Sequence, residues 1–147
     1  MNIGIVGVGV VGGACKFGFE LLGHNVSVHD IALDTTLDDV LGTSVVYVCV
    51  PTPRADDGSC DTTIVREVVT GLKDRGYNGV VAIKSTVVPG TTESLREETG
   101  LNVCFVPEFL RERCAITDFT ENHDVCIIGC SDDKTYKLLK DCHGSLP

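Results

Sequence analysis

Hydrophobic positions along the 147-residue chain fall into short, nearly unbroken runs separated by longer polar or amphipathic stretches. The runs are Ile3 to Val6, Val26 to His29, Val45 to Val50, Val80 to Lys84, Val103 to Val106 and Val125 to Ile128. Strands that read as continuous apolar runs are those covered on both faces, and most of the segments between them are long enough to hold a crossover helix. About six parallel strands with helices on both faces of one sheet are therefore predicted, which is the α/β class.

Between the first two runs, Val11, Ala14, Phe17, Leu21 and Leu22 recur at helical spacing, and Gly23 is placed to end that helix. Gly13 and Gly18 weaken it, so tertiary packing must hold it. Later helices are predicted to begin near Asp61, Thr91 and Asp132, each of which offers a side-chain oxygen to free backbone N–H groups. The interval from Ile31 to Gly42 carries no clear pattern. No internal repeat or linker interrupts the chain, so residues 1–147 are expected to form one domain.

Composition narrows the possibilities. With 43% hydrophobic and 22% charged residues the chain reads as globular, and 21 acidic against 12 basic residues disfavour a nucleic-acid partner. The apolar stretch from Ile3 to Val11 is short, broken by Gly4, Gly7 and Gly9, and has no basic leader. It is expected to be neither a signal peptide nor a membrane span. Most of the eight cysteines sit inside apolar runs, where a free thiol behaves as a small hydrophobe, so a reduced, cytoplasmic protein is expected. His123, Cys126 and Cys130 have loosely ligand-like spacing, but no paired Cys-x-x-Cys accompanies them and no metal is expected.

Chemistry enters at Gly7-Val8-Gly9-Val10-Val11-Gly12, which follows the first predicted strand and opens the first helix. In that setting the first glycine permits a tight turn, the second lets a pyrophosphate approach the backbone, and the third lets helix and strand pack closely. Asp30 ends the second strand, where a carboxylate can accept hydrogen bonds from ribose hydroxyls and repel a 2′-phosphate. The fold expectation thus becomes a doubly wound, Rossmann-type sheet, and the expected cofactor is NAD. Val50-Pro51-Thr52-Pro53, Ser85-Thr86 with Pro89 to Thr92, and Pro107-Glu108-Phe109-Leu110-Arg111-Glu112 all leave the carboxyl ends of predicted strands. That is the edge where open α/β sheets bind ligands. Locally, each also has a plainer reading as a rigid turn, packing residues or, for Glu108 and Glu112, one solvated helix face.

Taken in order, these segments resemble the UDP-glucose and GDP-mannose dehydrogenase family over nearly the whole chain. The resemblance implies oxidation of a nucleotide-sugar C6 alcohol to a carboxylate with two NAD. It implies that Gly7 to Gly12 bind the pyrophosphate, Asp30 the adenosine ribose, and Val50 to Pro53 with Ser85 and Thr86 the nicotinamide side. Thr86 would face the reacting carbon, Glu112 would contact the cofactor, and Glu108 would handle a proton and water. Phe109, Leu110 and Arg111, with Glu108, would touch the nucleotide sugar.

Departures from the pattern are Val106 where the family usually carries Asn or Ser, and Arg113-Cys114 in place of a small pair. The family's nucleophilic thiol, Lys and Asn lie in later segments that would follow Pro147, so the chain is expected not to be catalytic without a second domain or chain. A homo-oligomer is compatible with this reading. Two alternatives stay open: the cofactor domain of a β-hydroxyacid dehydrogenase, and a non-catalytic NAD- or nucleotide-sensing module.

Overall fold

The computed structural model describes residues 1–122 and 124–146. Five parallel strands form the sheet: β1 (Asn2–Val6), β2 (Asn25–His29), β3 (Val45–Val48), β4 (Val80–Ile83) and β5 (Asn102–Phe105), in the order β2-β1-β3-β4-β5. Ile3 is level with Val26 on one side and Val45 on the other, and Val45, Val80 and Asn102 continue the row.

Successive strand residues point to opposite faces, so an all-apolar strand feeds two cores at once. Val45 and Tyr47 join Ile3, Ile5, Phe19, Phe119 and Leu139 on one face. Val46 and Val48 join Val65, Val69, Leu72 and Leu95 on the other. The helices divide accordingly. α1 (Val10–Leu21), α4 (Ala115–Thr120) and α5 (Asp133–His143) cover the first face, and α2 (Thr63–Asp74) and α3 (Thr91–Thr99) cover the second. Tertiary packing does hold the glycine-weakened α1: Gly12, Ala14, Cys15, Gly18 and Phe19 are buried along it, and Gly23 follows with φ +82°.

The predicted helix starts lie close to the observed ones. Asp61 accepts from the Thr63 amide at 2.9 Å and Asp132 from the Thr135 amide at 2.8 Å, while α3 begins after Gly90, whose φ is +92°. The patternless interval contains a single 3-10 turn, Leu37–Val40, closed by reciprocal bonds between Thr36 and Asp39. Val40 there is fully buried in the second core.

The strand count differs from the expectation in one place. Val125 to Ile128 is not a sixth strand; the antiparallel bridge to Phe105 is made by the following Gly129, with N–H···O distances of 2.9 and 2.7 Å. Cys126 and Ile128 pack inward while Val125 and Ile127 stay 52% and 47% exposed. Unlike the two-sided strands β3 and β4, this run buries one side only, which its unbroken apolar character does not reveal.

All eight cysteines are free thiols. Among the described residues, no helix is long and apolar enough to cross a membrane.

Candidate functional site at the sheet switch point

From β1 the chain moves outward to β2 and then crosses back to β3, on the other side of β1. Such a reversal of winding opens a crevice beyond the carboxyl ends of the strands, and the glycine turn lies in it. Gly7 adopts φ +90° and donates its N–H to the His29 carbonyl at 2.8 Å. A β-carbon on Gly7 would come within 2.7 Å of the Cys49 carbonyl oxygen, and one on Gly12 would collide with the Gly7 carbonyl. The protein's own packing requires both glycines. Gly9 is different: a β-carbon there would meet nothing within 4 Å. Its bareness leaves open space at the start of α1, where no side chain caps the helix and no acidic residue occupies the first turn. Uncapped N–H groups facing such a space suit an anion.

Asp30 closes one end of the crevice. Its Oδ2 accepts from the Val8 amide at 2.7 Å and its Oδ1 from the Ala32 amide at 2.8 Å. These bonds, Ala32 first and Val8 second, hold its pKa below the ordinary aspartate value. Each oxygen keeps a second lone pair, so the carboxylate braces the glycine turn and can still accept from a hydroxyl.

A cleft of about 390 Å³ runs from this end towards β4 and β5. Gly7, Gly9, Val10, Val11 and Asp30 form one wall. Val50, Pro51 and Thr52 continue it, and Ser85, Thr86 and Glu108 form the far end. The Ser85 hydroxyl donates to the Val50 carbonyl at 2.7 Å, tying the ends of β3 and β4 together. Val8 and Gly12 lie within the turn without lining the cleft, and neither does Pro53. Glu112 lines an adjoining cleft of about 470 Å³, which shares Gly9 and Val10 with the first. Phe109, Leu110 and Arg111 line a separate hollow with Asp118 and Asn122. Arg111 is clasped there by Asp118, Nη2 to Oδ1 at 2.6 Å and Nε to Oδ2 at 2.9 Å, and this pairing holds the Asp118 carboxyl far below its usual range.

Residues 106–111 have no helical structure, and Glu112 starts a separate 3-10 turn, so Glu108 and Glu112 do not share a helix face. Glu108 turns inward. Its Oε1 accepts from the Leu110 amide at 2.6 Å, and its Oε2 lies 3.4 Å from Nζ of Lys84, whose side chain is 1% exposed. Burial pushes Lys84 towards neutrality, but the negative charge around it, the Glu108 carboxylate included, outweighs burial and raises its pKa above the ordinary lysine value.

Lys84 and Cys49 line the cleft although sequence reasoning singled out neither. A signal for Lys84 was present: a lysine that directly continues an apolar, two-sided strand is buried, and a buried ammonium needs a counter-charge. No comparable signal marks Cys49. The hydrogen bond its thiol makes to Cys15, and then burial, push its pKa well up. Of the three metal-ligand candidates, His123 lies outside the described residues; among the described residues no three His, Cys, Asp or Glu side chains could hold a metal ion.

A glycine turn at the switch point of a doubly wound sheet, with a carboxylate ending the second strand, defines a dinucleotide-binding domain. The chain belongs to the UDP-glucose/GDP-mannose dehydrogenase family: its residues 33–146 match the model of that family's NAD binding domain.

Relatives and solved structures agree. UDP-glucose 6-dehydrogenase AglM of Haloferax volcanii is 32% identical over 127 residues, covering 76% of this chain and 29% of its own. GDP-mannose 6-dehydrogenase of Pseudomonas aeruginosa is 30% identical over 122 residues, 73% of this chain and 28% of its own. The solved UDP-glucose dehydrogenase of Pyrobaculum islandicum superposes with a TM-score of 0.85 at 28% identity, over 99% of this chain and 44% of that one. The chain therefore spans less than a third of the length of these curated relatives.

Proposed function

We propose that this chain is the cofactor half of a nucleotide-sugar 6-dehydrogenase, binding NAD along the switch-point cleft and acting on a UDP- or GDP-sugar when completed by a second domain or chain. The observation that carries this reading is the empty volume over Gly9, which no protein atom fills, at the start of an uncapped helix. The pyrophosphate occupies that space, Asp30 takes the adenosine ribose, and Val50 to Pro53 with Ser85 and Thr86 take the nicotinamide side. Thr86 faces the reacting carbon, and Glu108 accepts a proton or orients water. Glu112 reaches the cofactor from the adjoining cleft, and Phe109 to Arg111 meet the sugar nucleotide. The eight free thiols suit a reducing, cytoplasmic setting.

Calorimetric titration with NAD tests the reading directly. Weak binding is expected, since this chain alone lines the cleft. Absence of heat and of any thermal shift at millimolar NAD would overturn it.

Cofactor choice tests Asp30. The wild-type chain is expected to prefer NAD, because a 2′-phosphate would meet this carboxylate, and residues 31–53 carry no Lys or Arg. Asp30→Ala should lose about 1–3 kcal/mol of NAD binding, the usual worth of a hydrogen bond to a charged group, and part of the preference. Tighter binding of NADP by the wild-type chain would refute the assignment. Acid should have the same effect as the substitution. A carboxylate whose folded pKa is depressed contributes stability above its unfolded value of 3.8 and loses it as pH falls through the lower folded value, releasing the Val8 amide.

A further inference from the structure

The far end of the cleft contains a buried pair of opposite charges that cofactor positioning by the glycine turn does not require. Lys84 directly follows β4 and Glu108 follows β5; their side chains are 1% and 10% exposed, and Nζ lies 3.4 Å from Oε2. Oε1 is already engaged by the Leu110 amide, whereas Oε2 is buried with no hydrogen-bond partner. Nζ also lies 5.8 Å from the centre of the Phe119 ring, which offers it a second electron-rich surface. Either charge buried alone would be costly, so the two stand or fall as a unit.

From this geometry we infer that Lys84 and Glu108 form a charge-balanced element that sets the preference of the cleft between the oxidised and reduced forms of its nicotinamide cofactor. The inference rests on the NAD reading above and on the placement of the nicotinamide beside Ser85 and Thr86. The oxidised ring carries a positive charge and the reduced ring does not. A neutral pair beside the ring discriminates little between them; an unbalanced carboxylate attracts the oxidised ring, and an unbalanced ammonium repels it. Lys84 is thus a specificity-determining residue. By cancelling Glu108 it keeps the carboxylate from biasing the cleft towards the oxidised cofactor.

Dissociation constants for NAD⁺ and NADH, measured near neutral pH on the wild-type chain, Lys84→Met, Glu108→Gln and the double variant, give the test. Lys84→Met should shift the NADH-to-NAD⁺ ratio of dissociation constants about tenfold in favour of NAD⁺, and Glu108→Gln about tenfold in favour of NADH. The double variant should return close to the wild-type ratio, a sign reversal and cancellation that a merely structural role would not produce. If Lys84→Met fails to fold, Glu108→Gln against the double variant makes the same comparison. Binding of both cofactors with a ratio unmoved in the single variants would overturn the inference and leave the NAD reading intact. Failure of the wild-type chain to bind either form would overturn the NAD reading and this inference with it.

Discussion

Gly9→Val is expected to abolish NAD binding while leaving the melting temperature near that of the wild type, and Gly12→Val is expected to destabilise or unfold the chain. Both are single replacements in one six-residue turn, and they separate because the two glycines are bare for different reasons. A β-carbon on Gly12 runs into the Gly7 carbonyl, part of a backbone pinned by its bond to His29. Neither β1 nor α1 can retreat without opening the core around Ile5 and Ala14, so the expected cost exceeds about 3 kcal/mol, the upper range for overpacking a well-filled interior. Gly9 has φ −78° and no protein atom within reach of a β-carbon, so a side chain there meets none of the backbone collision that one on Gly12 does. What valine removes is space, and the pyrophosphate can no longer approach the helix N-terminus. Parallel thermal melts and NAD titrations give the answer. Undiminished binding by Gly9→Val would show that the cofactor does not cross the turn; an undisturbed Gly12→Val would show that the turn is packed otherwise.

The second large effect is an absence of turnover. The purified chain, saturated with NAD, is expected not to convert UDP-glucose, GDP-mannose or related sugar nucleotides to their acids. Oxidation beyond the aldehyde requires a nucleophile that holds the carbon for a second hydride transfer, and a thiolate is the usual choice. Cys49 is the thiol that lines the cleft, and the hydrogen bond it makes to Cys15 together with burial keeps it in the protonated, unreactive form. Thr86 and Glu108 offer a proton acceptor and some orientation. Neither holds the sugar in place, and positioning is worth several kcal/mol of barrier on its own. NADH absorbance followed across a panel of sugar nucleotides measures this, and two NADH formed per sugar would show the chain to be a complete catalyst.

Much of this molecule was legible in its sequence where physics leaves a one-sided mark. Gly7-Val8-Gly9-Val10-Val11-Gly12 between an apolar run and a helical pattern could hardly form anything but the observed turn, and Asp30 ends β2 as its place after Val28 and His29 requires. The residues expected at the two ends of the cofactor, Asp30 on one side and Ser85 with Thr86 on the other, do meet in one cleft. What stayed hidden depended on depth and direction, which a one-dimensional pattern does not carry. Val125 to Ile128 has the composition of a strand but forms none, and the bridge to β5 is made by Gly129 after it. Lys84 read as the end of a strand, and only the fold shows that Glu108, 24 positions later, turns back to meet it. Phe109 to Arg111 follow Glu108 directly in the chain, yet they line another hollow.

The order of the strands has a consequence for how the site breathes. β1, β3 and β4 each have neighbours on both sides, whereas β2 is joined to β1 alone. Local opening of a sheet begins at strands held on one side, so solvent reaches the amides of β2 far more often than those of β3 or β4. Asp30 sits at the end of that loosely held strand, while Ser85 follows the firmly held β4. A dinucleotide lying across the cleft would thus have its ends anchored in parts of unequal stiffness. Its ribose end would let go and rebind many times while its nicotinamide end stayed registered against the interior of the sheet.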